Sequence, residues 1–350
     1  MNCTHTLHAA QGHFGWDNRL PPVLQAAPGE TLEFHPLDAS AGQITPASTA
    51  DALLALDFNR VNPVVGPVFV EGAEPGDALK VTLLDFTPTG YGWTANIPGF
   101  GLLADRFPMP HLHHWKYDPR GREPALYGPG GRVPLKPMCG TLGVAPAAAG
   151  AHSIVPPRRV GGNMDIRDLS AGTTLYLPIE VPGALFSLGD THAAQGDGEV
   201  CGTAIESACA VAVKLELVKG LALPAPRFTT PGPVTRHFDG AGYEVTTGIG
   251  PDLMAAARDA LSFMIDLLAA RHGMAPVDAY LLCSVCASCQ QEFNVSRPPK
   301  FSLRIYPLNI PVPVSFLYEI CGECAELYRK GGKRRDRVLA AVQKFFLGEQ

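Results

Sequence analysis

The chain has 350 residues, of which 46% are hydrophobic and only 17% are charged, against about 25% charged residues in an average globular domain. Its net charge of -5 offers no broad basic field for nucleic acid, and no run of about 18 apolar residues is present for a membrane-spanning helix, so we expect neither partner. Nine cysteines, an odd number, and an N-terminal segment without a basic start or a long apolar stretch predict a cytoplasmic protein rather than a disulfide-bonded secreted one.

Many short strands are the main predicted element. The 37 glycines and 33 prolines are scattered among strand-like runs, a pattern typical of frequent turns rather than of disorder. Strands are predicted over residues 31–34, 78–85 and 211–218. In the third, Val211 and Val213 alternate with smaller or polar residues, so one face of that strand should lie in a core.

Helical patterns come late in the chain. Apolar side chains recur at steps of three and four from Leu253 to Leu268, between Asp252 in the first turn and Gly273 as a stop signal. Further helices are predicted over residues 275–291 and 336–350, the latter behind a basic run at residues 329–337.

These elements predict an α+β, β-dominated fold, with packed β-sheet layers in a sandwich-like or barrel-like arrangement and a few late helices. We expect a β-rich part over residues 1–150, a central β part over residues 151–250 that carries the polar motifs, and a helical part over residues 251–350 with a C-terminal extension. One compact domain is the alternative. Because few charges are available to coat the surface, we also expect a homodimer or a higher homo-oligomer.

A polar turn near the N-terminus is the first candidate site feature. Trp16, Asp17 and Asn18 lie in the segment FGWDNRLPP, where they would line the mouth of a substrate pocket or, alternatively, anchor a turn. Further along, His111 and His113 form the kind of pair with which a cupin metal site begins, but no carboxylate follows within a few residues. We therefore expect this pair at the surface or at an interface.

The segment RRVGGNMDIRDLS holds a first cluster of acidic residues. Asn163, Asp165 and Asp168 follow a Gly-Gly pair and precede a predicted strand. Asp165 offers an oxygen ligand to a cation, and Asn163 offers a polar group that could orient a ligand. An Asx-type loop would use the same residues and is the alternative.

The segment GDTHAAQGDGE, residues 189–199, holds a second cluster. Asp190 and His192 are two positions apart, so on a strand both side chains point to the same face. Carboxylate and imidazole together suit a divalent ion such as zinc. The glycines that follow would turn the chain and bring Asp197 and Glu199 back toward the same space. A polar turn that caps backbone N–H groups is the alternative.

Several cysteines have the spacing of metal ligands. They are Cys283, Cys286 and Cys289 in CSVCASC, and Cys321 and Cys324 in CGEC. The first three also lie in a helix-like apolar run, where a spacing of three describes one buried face. Structural cysteines and a second metal site are both open interpretations.

Five segments, taken in order, resemble the acetamidase/formamidase family, whose members hydrolyse short carboxamides to a carboxylate and ammonia. They are FGWDN, RVNPVVGPVFVEGAEPGDAL, PLKPMCGTLGVAP, GGNMDIRDL and GDTHAAQGDGEVCGTAIE. The resemblance extends from about Gly12 to Leu282, weakens after Val285, and leaves the segment beyond Pro313 as an extension. It implies a β-rich fold with helices, a divalent-metal site and a tendency to associate.

The resemblance therefore implies a metal-dependent amidohydrolase that cleaves formamide-type or acetamide-type substrates through an activated water. The ion would be held by Asp165, Asp190 and His192, with zinc favoured and calcium as the alternative. Glu199 would act as the acid–base group, a role for which Asp197 and Glu206 are alternatives. Asn163 and backbone N–H groups near Gly196 would stabilise the oxyanion.

Two other functions stay open. In a cysteine-nucleophile amidase, Cys139 near Lys136 or Cys201 beside Glu199 would attack the amide, which requires a thiol of depressed pKa. In a non-catalytic protein, the same scaffold would bind a metal and capture a small ligand.

Overall fold

The structure is a computed structural model that describes residues 3–128, 131–231, 245–250, 252–294 and 300–306. The chain falls into two compact units. The first comprises Met1–Val234 and Val277–Cys286, and the second comprises Thr235–Pro276 and Ala287–Gln350. Apart from the cysteines considered for a second metal site, the residues predicted to bind a metal, to catalyse or to line a substrate pocket belong to the first unit.

Short strands make up most of the first unit. In its first half they are β1 (His5–His8), β2 (Gly12–His13), β3 (Gly15–Trp16), β4 (Leu24–Ala26), β5 (Thr31–His35), β6 (Val64–Val70), β7 (Ala78–Pro88), β8 (Tyr91–Asn96) and β9 (His111–Lys116). In its second half they are β10 (Ala125–Tyr127), β11 (Gly131–Val133), β12 (Met138–Gly143), β13 (His152–Ser153), β14 (Gly161–Asn163), β15 (Thr174–Pro178), β16 (Phe186–His192), β17 (Cys209–Val218) and β18 (Arg227–Thr229). Short 3-10 helices cover Ala9–Gln11, Ala50–Ala55 and Phe58–Arg60.

Two larger sheets share one hydrophobic core in this unit. The first sheet has the strand order β1-β5-β17-β7-β15-β18, and the second has the order β14-β12-β16-β6-β2, with β4 parallel to β6. Buried side chains of both sheets belong to the same cluster, in which Phe34 of β5 meets Phe186 of β16 edge to face at 5.9 Å between ring centroids. The predicted β-dominated fold of packed sheet layers is confirmed.

The three strands predicted from alternation and turn signals are all present, as β5, β7 and β17. β17 lies between β5 and β7 and runs antiparallel to both. Its Val211 and Val213 are fully buried, while Lys214 and Glu216 are partly exposed. The period of two therefore identified the face that packs into the core.

The second unit contains β19 (Thr246–Gly250), α1 (Leu253–His272), β20 (Ser288–Asn294) and β21 (Lys300–Tyr306), with the strand order β19-β21-β20. The first predicted helix is α1. The Asp252 carboxylate accepts a hydrogen bond from the Ala255 N–H at 2.9 Å and caps its start. Gly273, with φ at 64°, ends it in the left-handed conformation that glycine adopts readily.

The second predicted helix is shorter than its sequence pattern suggested. α2 spans Pro276–Cys286, whereas residues 288–294 form β20, so the predicted continuation to residue 291 is wrong. The backbone of β20 instead forms hydrogen bonds with the antiparallel strand β21. The spacing of three between the cysteines is compatible with a helix, and it contains no information about the pairing of β20 with β21. The predicted terminal helix, the basic run and Cys321 and Cys324 lie outside the described residues.

The expected boundaries at residues 150 and 250 differ from those of the two compact units. Residue 150 lies inside the first unit, because β12 pairs with both β14 and β16 across it. Within the described ranges, no helix is long and apolar enough to cross a membrane. Homo-oligomeric association and a cytoplasmic location stay predictions.

Candidate active site

A cavity of about 290 Å³ in the first unit brings most of the predicted site residues together. Its lining includes Asn163, Asp165, Asp190, His192 and Glu199. These residues come from β14, from the chain just after it, from the end of β16 and from the loop that follows β16. Strand pairing therefore assembles the site from two separate sequence motifs.

Asp190 and His192 lie at the end of β16, which runs between β12 and β6. Both are almost fully buried, with 2% and 1% of their surfaces exposed. Asp190 Oδ1 lies 3.4 Å from His192 Nε2. The two side chains thus meet on one face of the sheet, as their spacing predicted.

Strand register places Asn163 beside Asp190. Thr141 of β12 pairs with Asn163 on one side and with Gly189 on the other. The Thr141 hydroxyl lies 3.0 Å from Asn163 Oδ1 and 3.0 Å from Asp190 Oδ2. Asn163 Nδ2 donates to the Val155 carbonyl at 3.0 Å, so this amide is held at both ends.

Glu206 joins the same group of side chains from the chain before β17. Isolated bridges pair its backbone with those of His192 and Trp93. Glu206 Oε2 lies 3.2 Å from His192 Nε2, and Glu199 Oε1 lies 3.7 Å from His192 Nδ1. We name the carboxylates around this imidazole the acidic cluster, which comprises Asp165, Asp190, Glu199 and Glu206.

The acidic cluster and the imidazole could hold a cation in two overlapping ways. In each of two sets, the potential ligand atoms lie within 4.8 Å of one another. The sets are Asp165, Asp190 and His192, and His192, Glu199 and Glu206. Imidazole nitrogen and carboxylate oxygen form a donor set that suits zinc and related divalent ions.

Burial and mutual repulsion perturb the titration of this group. Burial, followed by the charge of Asp190, raises the pKa of Asp165 to about 7. Burial also raises the pKa of Glu199 well above its ordinary value, with Asp165 as the next contributor. For His192, burial opposes protonation, but the negative charges of Glu206 and the other carboxylates outweigh it and raise the pKa well above 6.5. The site therefore favours the protonated forms of these groups, which reduces the repulsion among its carboxylates.

Several oxygen atoms of the acidic cluster lack hydrogen-bond partners. In the described part of the chain these buried atoms include Asp165 Oδ1, Glu199 Oε1 and Glu206 Oε2. A buried carboxylate oxygen without a partner is costly, because the desolvation of its charge is not repaid. Unpartnered acidic oxygens directed at one space are what a bound cation would satisfy.

Gln195 determines how the imidazole of His192 is oriented. Its Nε2 donates to the Asp165 backbone carbonyl at 2.6 Å, and a carbonyl can only accept, so the amide orientation is fixed. Gln195 Oε1 then faces His192 Nδ1 at 2.9 Å and requires a proton on that nitrogen. In the neutral imidazole the lone pair consequently lies on Nε2, which faces Asp190 and Glu206.

The loop that carries Glu199 is held by α2. Gly196 N–H donates to the Ser284 carbonyl at 2.9 Å, and Cys201 N–H donates to the Ser284 hydroxyl at 3.2 Å. That hydroxyl in turn donates to the Thr203 carbonyl at 2.6 Å. One buried serine therefore anchors both ends of the loop.

Left-handed backbone conformations recur at the site. Asn62, Asp165, Asp190 and Glu199 have φ values of 49°, 47°, 53° and 40°. Such values are tolerated by asparagine and aspartate but are uncommon for glutamate, so the surrounding hydrogen bonds must stabilise them. At Asn62 the side chain contributes directly, since its Nδ2 donates to Asp190 Oδ2 at 2.9 Å.

Gly140 provides the space in which two carboxylates approach each other. A Cβ atom at this position would lie 2.5 Å from Asp165 Oδ1 and 2.9 Å from Asp190 Oδ2. Only glycine leaves this space free in β12, next to Thr141.

Asp197, predicted as a catalytic residue, points elsewhere. Its Oδ1 forms an ion pair with Arg167 Nε at 2.9 Å, and it does not belong to the cavity lining. Asp168 likewise pairs with Lys136 at 2.6 Å. The glycine-rich turn brings Glu199 to the imidazole but directs the neighbouring Asp197 to a basic partner.

The three residues predicted at the pocket mouth lie outside the cavity lining and anchor the chain instead. Trp16 is buried in a cluster with Val64 and Ile154. Asp17 forms hydrogen bonds with the backbone and the guanidinium of Arg19. Asn18 Nδ2 donates to the Pro146 carbonyl at 2.9 Å. The alternative interpretation of this motif, an anchored turn, describes these contacts.

Two cysteines considered as nucleophiles are inaccessible in this arrangement. Cys139 and Cys201 are fully buried, and neither belongs to the cavity lining. Burial raises the pKa of the Cys139 thiol far above its ordinary value and that of Cys201 to about 11. Cys283 and Cys286 lie buried in α2, and the Cys286 thiol donates to the Leu282 carbonyl at 2.8 Å, contacts that fit the structural interpretation of these two cysteines.

The histidine pair on β9 is partly exposed and contacts neighbouring side chains. His111 Nε2 lies 2.9 Å from Asp278 Oδ1 on α2, and Tyr127 also donates to that oxygen. His113 packs against Trp115 and Tyr127, and burial lowers its pKa to about 4. Both histidines are nevertheless partly exposed, so the prediction of a position at the surface or at an interface stands.

Four residues at the site had no assigned role in the sequence interpretation. They are Asn62, Gly140, Thr141 and Gln195. Each lies inside a segment that carries the family resemblance, and Gln195 is three residues after His192 in the second acidic motif. Their roles depend on contacts with distant parts of the chain, so composition and local spacing gave no signal for them.

Comparison with known proteins identifies the family of the chain. A family model described as the acetamidase/formamidase family matches residues 2–150 and 147–307. The formamidase of Methylophilus methylotrophus is 30% identical over 300 residues, which cover 69% of this chain and 73% of that protein.

Solved structures of related enzymes share the fold of this chain. The gamma lactamase from Delftia acidovorans has a TM-score of 0.79 and 25% identity, with 88% of this chain and 92% of that chain covered. The acetamidase from Bacillus halodurans has a TM-score of 0.61 and 32% identity, with 86% and 97% covered. The chain belongs to the acetamidase/formamidase family and is a hydrolase of amide carbon–nitrogen bonds.

Proposed function

We propose that the protein is a metal-dependent amidohydrolase that converts a carboxamide to a carboxylate and ammonia at the acidic cluster. The observation that carries this proposal is the group of buried, unpartnered oxygens of Asp165, Glu199 and Glu206 around His192. Family membership supports the amide as substrate, and the donor set supports the metal.

The residues present fit a divalent cation. Asp165, Asp190 and His192 would hold it, with Glu206 Oε2 directed at the same imidazole nitrogen as Asp190. When bound, the ion supplies Lewis-acid polarisation of the amide carbonyl and of water. The imidazole nitrogen in the set favours zinc over calcium, which prefers an all-oxygen environment.

Proton transfer is assigned to Glu199. It lines the cavity, and its Oε1 is buried without a hydrogen-bond partner in the described part of the chain. Oε1 would accept the proton of the attacking water and later deliver it to the departing nitrogen, a role worth about 10²–10⁴-fold in rate. The amide of Asn163, held near Asp190 by Thr141, is the side-chain candidate for stabilising the oxyanion.

The decisive experiment measures ammonia release from formamide, acetamide and butanamide before and after chelation, with metal content determined in parallel. We expect activity to be lost with the metal and to return with added zinc. Activity that survives complete metal removal would contradict the proposal and favour a thiol nucleophile, to be tested with Cys139→Ser and Cys201→Ser. Absence of turnover in fully metal-loaded protein that binds amides tightly would instead indicate the non-catalytic alternative.

Gly140→Ala is expected to reduce amide turnover strongly, because the new Cβ would displace the carboxylates of Asp165 and Asp190. A shift of about 1 Å in a catalytic group can cost about 10²-fold in rate. Turnover, metal content and Tm should be measured together. Gly29→Ala is the control, since nothing lies within 4 Å of a Cβ there; it should affect stability alone. Unchanged turnover in Gly140→Ala protein would show that these carboxylates are not held where the reaction needs them.

A further inference from the structure

We propose that the site prefers a neutral amide carrying an apolar group of several carbon atoms, and that it uses formamide and acetamide poorly. This inference rests on the proposed function, because it assigns the substrate class of the same cavity. It depends on the size of the cavity, on the character of its walls and on the residues at its mouth.

The cavity is large for the smallest amides. Its volume is about 290 Å³, close to the lower limit of about 300 Å³ for pockets that enclose whole organic ligands. A water molecule occupies about 30 Å³ of the liquid, so the space corresponds to roughly ten waters. Acetamide, with a carbonyl, an amino group and one methyl, would leave most of it filled with water.

The walls away from the acidic cluster are apolar. Leu56, Phe58, Trp93, Ile97 and Phe100 contribute to the lining. Trp93 and Ile97 belong to a buried hydrophobic cluster, so this part of the wall is supported from behind. Water confined against such a surface is readily displaced by an apolar group, which gains binding energy in proportion to the area covered.

Charge selects against ionic substrates. Among the residues that the structure describes, the cavity lining contains no lysine or arginine, while the four carboxylates of the acidic cluster line it. A carboxylate on the substrate would meet like charge without a basic partner in this lining. A charged group against the apolar wall would lose its hydration without compensation. The part of the substrate beyond the amide should therefore be neutral and apolar.

The mouth of the cavity continues this apolar surface to the solvent. Phe58 and Phe100 are 51% and 42% exposed, and their ring centroids are 6.5 Å apart. Val155, also 42% exposed, belongs to the same lining. Phe100 packs closely on Gly202, where a Cβ would lie 2.3 Å from its ring. An apolar substrate group long enough to reach these side chains would cover surface that is otherwise exposed to water.

The test compares kcat/KM for formamide, acetamide, butanamide and hexanamide with metal-loaded protein. We expect a gain of about fourfold for each methylene added, which corresponds to about 0.8 kcal/mol of apolar burial. Succinamic acid, which carries a carboxylate, should be a poor substrate. A five-membered lactam tests whether the apolar part is tolerated as a ring that joins both sides of the amide.

The outcomes separate this inference from the proposed function. Turnover of formamide and acetamide with a flat or falling response to chain length would overturn the preference and leave the amidase assignment intact. No turnover of any amide by metal-loaded protein would overturn both. A rise in kcat/KM with chain length would support both proposals. A higher kcat/KM for the lactam than for the linear amides would indicate that the preferred apolar group is a compact ring.

Phe58→Ala tests the apolar contact at the mouth of the cavity directly. It should reduce the ratio of kcat/KM for hexanamide to that for acetamide by about tenfold, because the longer chain loses its contact at the mouth. Leu54→Ala is the matched control, since Leu54 is 65% exposed in a neighbouring 3-10 helix and lies outside the cavity lining. It should leave the ratio unchanged. An unchanged ratio in Phe58→Ala protein, or an equal fall in the control, would contradict the assignment of the mouth.

Discussion

Glu199→Gln is expected to reduce amide turnover by about 10²–10⁴-fold while the protein keeps its metal. The amide side chain has nearly the same size but cannot accept a proton from water. Glu199 faces the Nδ1 side of His192, at 3.7 Å, whereas Asp190 and Glu206 face Nε2. A change at Glu199 should therefore leave the Nε2 side of the site intact. Steady-state kinetics and metal analysis of the same preparation measure both consequences.

Asp197→Asn is the control that this structure offers. Asp197 is two residues from Glu199 in the same acidic motif, but it pairs with Arg167 outside the cavity lining. We expect a change in turnover of no more than about threefold, comparable to the loss of a partly exposed ion pair. If Asp197→Asn abolished turnover and Glu199→Gln did not, the assignment of the acid–base group would be wrong. Loss of the metal from Glu199→Gln protein would make Glu199 a ligand instead.

Gln195→Leu is expected to weaken metal binding by about 10–100-fold, the usual effect of removing a partner that orients a metal-binding histidine. The substitution keeps the volume but removes the acceptor for the Nδ1 proton of His192 and the donor to the Asp165 carbonyl. The imidazole could then place its proton on Nε2, where it would face Asp190 and Glu206 as a donor. Metal affinity follows from competition with a chelator of known strength.

The tautomer of His192 gives a second measurement that does not depend on activity. At a pH above the raised pKa of His192, where the ring is neutral, nitrogen-15 spectra of the metal-free protein should report protonation at Nδ1, and Gln195→Leu should change the ratio of the tautomers. Gln195→Glu keeps an acceptor for Nδ1 and should retain the wild-type tautomer. Gln25→Leu is the matched control, because Gln25 bonds to Glu71 at the surface. Equal metal affinity and equal spectra in wild-type and Gln195→Leu protein would contradict the role of Gln195.

Local sequence patterns determined a definite part of this protein. The alternation in β17 identified its buried face, and Asp252 and Gly273 defined the ends of α1. The two-residue spacing of Asp190 and His192 placed their side chains together. These features depend on backbone periodicity and capping within a few residues, which a single sequence displays directly.

Tertiary structure decided which distant residues join that pair. Asn163 reaches Asp190 because β12 lies between β14 and β16 in one particular register, and Glu206 reaches His192 through a backbone bridge. Gln195 acquires its role only because the Asp165 carbonyl lies against it. None of these contacts follows from spacing along the chain.

The same dependence explains where the structure differs from the sequence interpretation. Trp16, Asp17 and Asn18 have the residue types of a pocket, yet the partners that their surroundings provide make them an anchored turn. Asp197 and Glu199 lie in one glycine-rich turn, yet one meets Arg167 and the other His192. Residues 288–291 continue a helical pattern but pair with β21. By itself, the sequence determined three of the strands, the principal helix and the chemical character of the site. Long-range strand register and the partners of each buried polar group decided which residues form it, because hydrogen-bond satisfaction in a packed interior is a property of the whole fold.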